Sequence, residues 1–337
     1  MSPDRFEAIT SRYPSLRLAV AGDFCLDRYF DIDPARSEIS LETGLEVHNI
    51  TRVRCQPGAA GTILNNLAAL GVGSLLPVGA CGDDGEGWAL RRALEAGPGV
   101  TLEHFLTLPD RVTFTYTKPL VHSPGEPPRE LNRLDLKNWS PMPRASEDAL
   151  IGALTRAASS ADGLIAMDQV DVEESGVVTR RFRDQLGELA RERPGLLVLG
   201  DSRRGLGGWP PVVFKMNARE LGALTGRPVA SVDEVRTACA ELAGRNGQPA
   251  FITLAEQGIV GAAAEGVAWH VPGLPVRGPI DIVGAGDAVS ANLTAALAAG
   301  ASVPEAMELA MAAASVVIHQ LGTTGTASVA QLRERLA

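Results

Sequence analysis

The 337-residue chain has only four cysteines, Cys25, Cys55, Cys81 and Cys239, and no two of them form a CxxC pair. Neither they nor the five histidines fall at zinc-ligand spacing, so buried free thiols are expected and the histidines carry no assigned chemistry. An excess of positive charge is also lacking. The net charge of −9 argues against a nucleic-acid surface, because phosphate backbones are met by clustered Lys and Arg. No apolar run is long enough to cross a bilayer, and the opening Met1-Ser2-Pro3-Asp4-Arg5 is polar. These absences lead to the expectation of a cytoplasmic protein with no membrane or nucleic-acid partner. No GxxxxGK[ST] stretch occurs, which excludes a P-loop enzyme.

What is present is an ordinary globular balance, 45% hydrophobic and 21% charged. At this length a substantial core forms without cross-links, as one large α/β domain or two ordinary ones. Short apolar runs of strand length alternate with helical patterns. Leu16–Ala21, Ser74–Ala80, Leu164–Met167, Leu196–Leu199, Val212–Met216 and Phe251–Leu254 read as strands. Runs that are continuous, not alternating, predict a sheet covered on both faces. Gly58–Leu70 and Glu86–Glu95 read as helices, and Ala288–Ala299 and Val303–Gln320 as two long Ala-rich ones. Two segments break the rhythm: residues 28–56 and the alternating Val112–Val121. Their one-sided pattern predicts a small accessory sheet projecting from the main body.

The sharpest chemical signal is Asp281-Ile-Val-Gly284-Ala285-Gly286-Asp287, running into an Ala-rich helix. Glycines there let the backbone turn tightly, and the first amides of the helix lack internal partners, which makes an anion site. Asp287 at its mouth suits a general base that takes the proton of an attacking hydroxyl, though an aspartate there also reads as a helix cap. Gly284-Ala-Gly286 lacks the third glycine of GxGxxG, since Val289 stands in its place, so a dehydrogenase is disfavoured.

DxxGAGD at a helix start near the C-terminus resembles the second signature of the PfkB (ribokinase-like) carbohydrate kinases. Five further stretches resemble that family in its order: Gly22-Asp23 to Asp27, Pro57-Gly58-Ala59-Ala60-Gly61 to Gly71, Gly82-Asp83-Asp84 to Gly87, Asn217-Ala-Arg-Glu220, and Thr253-Leu-Ala255 to Gly258. The phrases GDxxLDRYF, Ile39–Glu42, Leu131–Asp135 and Gly322-Thr323 are similar to the heptose 7-phosphate kinase group. The resemblance implies a single ribokinase-like α/β domain over residues 1–337, with a mainly parallel central sheet between helices. A β lid would be inserted at about 28–56 and 110–123, and it would allow a homodimer.

The implied activity is transfer of a phosphoryl group from ATP, with Mg²⁺, to a hydroxyl of a small sugar or sugar phosphate. In that reading Asp287 is the base, and the amides of Gly284, Ala285 and Gly286 stabilise the transferring group. Asp23, Asp27, Gly58, Ala59 and Thr62 meet the acceptor, and Arg111 and Arg133 grip an anionic one. Asn217, Glu220, Thr253, Ala255, Gly258 and Ala313 belong to the nucleotide side. Glu220 is the candidate metal carrier, and Asp281 the candidate carrier of a monovalent cation such as K⁺. Asn217 and Glu220 read equally well as a plain capping box.

Four departures from the family pattern bear on the acceptor and the nucleotide. Ala59 and Thr62 stand where the family has glycine and asparagine, and Ala255 replaces a glycine. A lysine expected after Met167 is absent, with Arg203 and Arg204 as substitutes in charge. A nucleoside kinase of the same fold and a silent sugar- or nucleotide-binding protein remain as alternatives.

Overall fold

Leu18, Ala19, Val20 and Ala21 are fully buried in the strand Arg17–Gly22. That strand pairs in parallel with Ser74–Gly82 on one side and Gly163–Asp168 on the other. The structure, a computed structural model, describes residues 1–336. The strand lies near the middle of a nine-stranded sheet. From one edge its order is Ala268–Val271, Ile259–Ala262, Ala250–Thr253, Val213–Asn217, Leu197–Ser202, Gly163–Asp168, Arg17–Gly22, Ser74–Gly82 and Phe105–Leu108. Only the first two join their neighbours antiparallel. The mainly parallel sheet expected from the continuous apolar runs is therefore the one observed.

Helices cover both faces. Ala60–Ala69, Ala285–Ala298 and Val303–Val317 build one core, with Ile63, Leu67, Leu293 and Met307 fully buried. Arg144–Ser160, Arg180–Glu192 and Val232–Asn246 build the other, around Leu150, Leu154, Phe182 and Leu186. The alanines of Ala285–Ala298 let that helix lie close to sheet and helices alike, so almost all of it beyond the first turn is buried. Val303–Val317 opens with the capping box Ser302/Glu305 and a proline in the first turn, as its sequence predicts. The helix ends at Val317, short of the expected Gln320, and the chain then turns so that 322–325 meet Gln56, Asn66 and Asp281. No helix among the described residues is long and apolar enough to cross a membrane.

A second sheet of five strands stands apart from the first. Phe24–Ile32 pairs antiparallel with Ile50–Ala59 and parallel with Thr115–Val121, to which Leu134–Leu136 and Arg129–Glu130 add antiparallel. The sheet extends beyond 28–56 and 110–123 because Phe24-Cys25-Leu26 continue the first strand's buried run without a break. Alternation along Phe24–Ile32 points Cys25, Asp27, Tyr29 and Asp31 to one face. Register puts Gln56, Arg54, Tyr116, Lys118 and Asp135 on that same face. The other face carries Phe30, Val53, Leu134 and Leu136.

Candidate active site

Gly284 caps the helix Ala285–Ala298 with φ 84°, a left-handed conformation that favours glycine. The turn before it is held by Asp281, whose Oδ1 accepts from the Val283 amide at 3.0 Å and Oδ2 from Gly322 at 3.3 Å. Both oxygens of Asp281 thus join two loops, each accepting one bond and keeping a further lone pair. The Ala285 amide donates to the Ile282 carbonyl at 3.2 Å. This corrects the expected trio of amides: Gly284 and Gly286 remain available to an anion, while Ala285 is engaged within its own turn. Asp287 lies one residue further on, in the first turn of the helix. Burial, together with the charge of Asp201, pushes its carboxyl up to about 7; Lys215 opposes the rise and Asp27 adds to it.

Asp27 approaches from the second sheet, 6% exposed, with Lys118 Nζ 3.6 Å from its Oδ1. Burial raises its pKa, against the pull of Lys118 and Arg133. A Cβ on Gly58 would stand 2.7 Å from Cys25 Sγ and 3.0 Å from Asp27, so only glycine lets the two lid strands close over this carboxylate. Arg133 forks onto both oxygens of Asp135, at 2.7 and 2.8 Å, and lies over the Tyr116 ring. Tyr116 pairs in register with Asp27, so Arg133 stands over the sheet face that carries this carboxylate.

Several expected acceptor ligands have other duties. Asp23 is 2% exposed; its Oδ2 accepts from the amides of Gln169 and Val170, and its Oδ1 from Val177. It pins the loop after Gly163–Asp168 to the end of the first strand, leaving no open oxygen for a sugar. Burial and the charge of Asp168 push it up to about 6. Arg111 is buried, and its guanidinium donates to the carbonyls of Ser140, Pro141 and Ser175. It clamps backbone, because burial without an acidic partner in contact leaves carbonyls as its acceptors. Thr62 is 1% exposed inside Ala60–Ala69 and faces no cleft. Arg204 is held by Asp168 at 3.1 Å, whereas exposed Arg203 has no ion-pair partner among the described residues.

Ala59, the expected acceptor contact beside Gly58, has φ 54° and ψ −118°. Ala255 has φ 51°. Both alanines that replace family glycines therefore keep a glycine-type backbone, at a cost in strain.

On the other side of the anion loop lies a cleft of about 580 Å³, lined by Asn217, Thr253, Ala255, Gly258, Leu274, Val276, Ile280, Met311, Ser315, Ile318 and Gly286 among others. Its walls are mostly apolar and its far end is the Gly286 backbone, the shape and chemistry that suit a flat base with a phosphate tail. Ala313 is fully buried in the core and does not line it; Met311, Ala314 and Ser315 present that helix's cleft face instead. The helical period explains the miss, since Ala313 lies on the opposite face from Met311 and Ala314–Ser315. Asn217 Oδ1 accepts from the Glu220 amide and Glu220 Oε2 from the Asn217 amide, so the capping box exists. Glu220 itself does not line the cleft, whereas Asn217, Ala218 and Arg219 do. Among the described residues no group of three His, Cys, Asp or Glu side chains forms a metal cage.

Sequence motifs missed Lys215, buried between Phe214 and Met216 and bonded to Asp201 at 2.7 Å. Its one signal was a charge inside an otherwise apolar strand. Gln56, Tyr29 and Lys118 were missed because nothing local marks which face of a lid strand meets a cleft.

Residues 211–330 match the pfkB family carbohydrate kinase model. The chain is 28% identical over 335 residues to the bifunctional protein HldE of Hyphomonas neptunium, covering 99% of this chain and 66% of that protein. It is 33% identical to HldE of Halorhodospira halophila, covering 96% and 64%. The chain thus spans just under two thirds of these relatives. In three dimensions it is similar to phosphofructokinase-2 from Escherichia coli in complex with substrates and products, with TM-score 0.72 and 21% identity over 95% of this chain and 97% of that one. The matched stretch carries the anion loop, the capping box and the apolar cleft, and in that stretch the chain is similar to the pfkB family carbohydrate kinases.

Proposed function

We propose that the protein transfers the γ-phosphoryl group of ATP to a hydroxyl of a small sugar phosphate. The observation that carries this reading is Asp287: a carboxyl held near neutrality at the head of a helix, between an apolar nucleotide-sized cleft and the lid carboxylate Asp27. A general base works best when its pKa lies near the working pH. Asp287 accepts the acceptor's proton as its oxygen attacks, and the Gly284 and Gly286 amides face the charge that grows on the phosphoryl oxygens. Asp27 orients acceptor hydroxyls, and the lid excludes water, the competing acceptor. Mg²⁺ would supply charge neutralisation on the phosphates; it commonly takes phosphate and water ligands with one or two carboxylates, and Glu220, beside the cleft residue Arg219, is the carboxylate that would hold it.

A phosphorylated acceptor is favoured by the cations on the acceptor side. Arg133 and Lys118 bear on Asp27, and Arg203 bears on Tyr116. The phrases resembling heptose 7-phosphate kinases make a heptose 7-phosphate the first acceptor to try. A cytoplasmic site of action and a homodimer through the outer lid face belong to the same proposal, the latter supported by Val53, Leu134 and Leu136, which are 49%, 62% and 47% exposed there.

The test is a coupled ADP-release assay with Mg-ATP against heptose 7-phosphate, fructose phosphates, ribose and adenosine, in K⁺ and in Na⁺. Turnover with a sugar phosphate that is lost in Asp287→Asn supports the reading. Turnover with adenosine alone would replace it by a nucleoside kinase. ATP binding without any turnover would favour a silent binder.

A further inference from the structure

A buried charge pair lies directly under the anion loop. Lys215, 8% exposed in the strand Val213–Asn217, donates from Nζ to Asp201 Oδ2 at 2.7 Å. The same oxygen accepts from Ser290 Oγ at 2.7 Å, and Ser290 belongs to the helix that Asp287 opens. Ser290 Oγ also lies 3.2 Å from the Gly286 carbonyl. A Cβ on Gly286 would stand 3.2 Å from Lys215 Nζ, so the ammonium presses against the loop itself. A side chain at 286 would crowd that ammonium and push it from its place.

Burying an ammonium and a carboxylate is costly, and apolar residues of similar volume often serve stability as well or better. Retention of the pair under this loop therefore calls for a local reason. The groups that face Asp287 are Asp201 and Lys215 from the sheet and Asp27 and Cys25 from the lid strand. Without Lys215, three carboxylates would share one poorly solvated space, and like charges suppress ionisation.

We propose that Lys215 is a positioning residue for Asp287: with Asp201 and Ser290 it braces the first turn of the helix against the sheet and keeps the base ionised. The inference rests on Asp287 acting as the base. Asp201 raises the Asp287 pKa and Lys215 lowers it, which gives each partner a signed effect.

The experiment uses Lys215→Met, Asp201→Asn and the double variant. Its primary readout is the ¹³C carboxyl titration of Asp287 by NMR, which needs no turnover; the acid limb of kcat/KM is the second. Lys215→Met should move both to higher pH by about one unit, and Asp201→Asn to lower pH by a similar amount. The double variant should return toward the wild-type position. A purely structural pair would lower thermal stability and leave the titration in place, which overturns the inference. If Lys215→Met does not fold, Asp201→Asn and the double variant decide alone, through the direction of their shifts. Wild-type protein with no acceptor turnover, yet with signed NMR shifts, would reject the kinase reading and keep the electrostatic brace; turnover with unmoved titrations would do the reverse.

Discussion

Gln56 Nε2 donates from the lid to Thr324 Oγ1 at 2.8 Å, a bond between residues 268 positions apart in the chain. Thr323 Oγ1 returns a bond to Gln56 Oε1 at 3.0 Å, and Thr324 lies against Gly284, its Cβ 3.3 Å from where a side chain there would begin. One amide thus ties the lid to the loop that backs the anion site. Gln56→Leu should loosen lid closure, raise the acceptor KM several-fold and increase ATP hydrolysis without acceptor, since each lost bond is worth about 1 kcal/mol. The ratio of ATP hydrolysed to sugar phosphorylated measures this; an unchanged ratio would remove Gln56 from the closing contact.

Asp287→Asn keeps shape and removes the proton acceptor. The expected outcome is a fall in kcat of about 10²- to 10⁴-fold with nucleotide affinity within a few-fold of wild type. Stopped-time assays and calorimetric ATP titration check the two halves separately.

Asp287 also sets the pH profile. Its carboxyl is raised to about 7, and only the ionised form accepts a proton. Activity should therefore be lost as pH falls through neutrality, instead of near pH 4 as for an ordinary carboxylate. A kcat/KM profile flat down to pH 5 would contradict this.

The alanines at positive φ make an independent stability prediction. Ala59 sits at φ 54° and Ala255 at φ 51°. Restoring glycine at either site should relieve strain of about 1–2 kcal/mol, less the entropy that glycine loses on folding. A gain of about one or two degrees in Tm per site is expected. Ala59→Gly should in addition loosen the joint between lid strand and helix, visible as faster hydrogen exchange around Gln56–Ala60.

If the lid's outer face pairs with a second copy, Leu134→Asp should convert a dimer into a monomer in light scattering while leaving the chain folded. A wild-type monomer at assay concentration would dismiss that pairing.

Much of this architecture was legible beforehand. Buried parallel strands announce themselves as unbroken apolar runs, and Gly284-Ala-Gly286-Asp287 announces a helix start with a chemical purpose. The acceptor side was harder. Asp23 and Asp27 are four residues apart and look alike in sequence, yet a loop closing from residues 169–177 takes up one and leaves the other open. Arg111 and Arg133 likewise part company only when Ser140 and Ser175 arrive from distant elements. Lys215 acquires its meaning from Asp201 and Ser290, and no local pattern carries that three-way meeting.

The matched stretch, 211–330, holds the apolar cleft, the anion loop and Asp287, while Asp27, Gln56, Lys118 and Arg133 all precede it. On the proposed reading, donor and acceptor are handled by different lengths of the gene. If the proposed reaction holds, substitutions in the first 140 or so codons would retune which sugar is taken without disturbing how phosphate is handed over, and this protein's individuality should be sought in its second sheet.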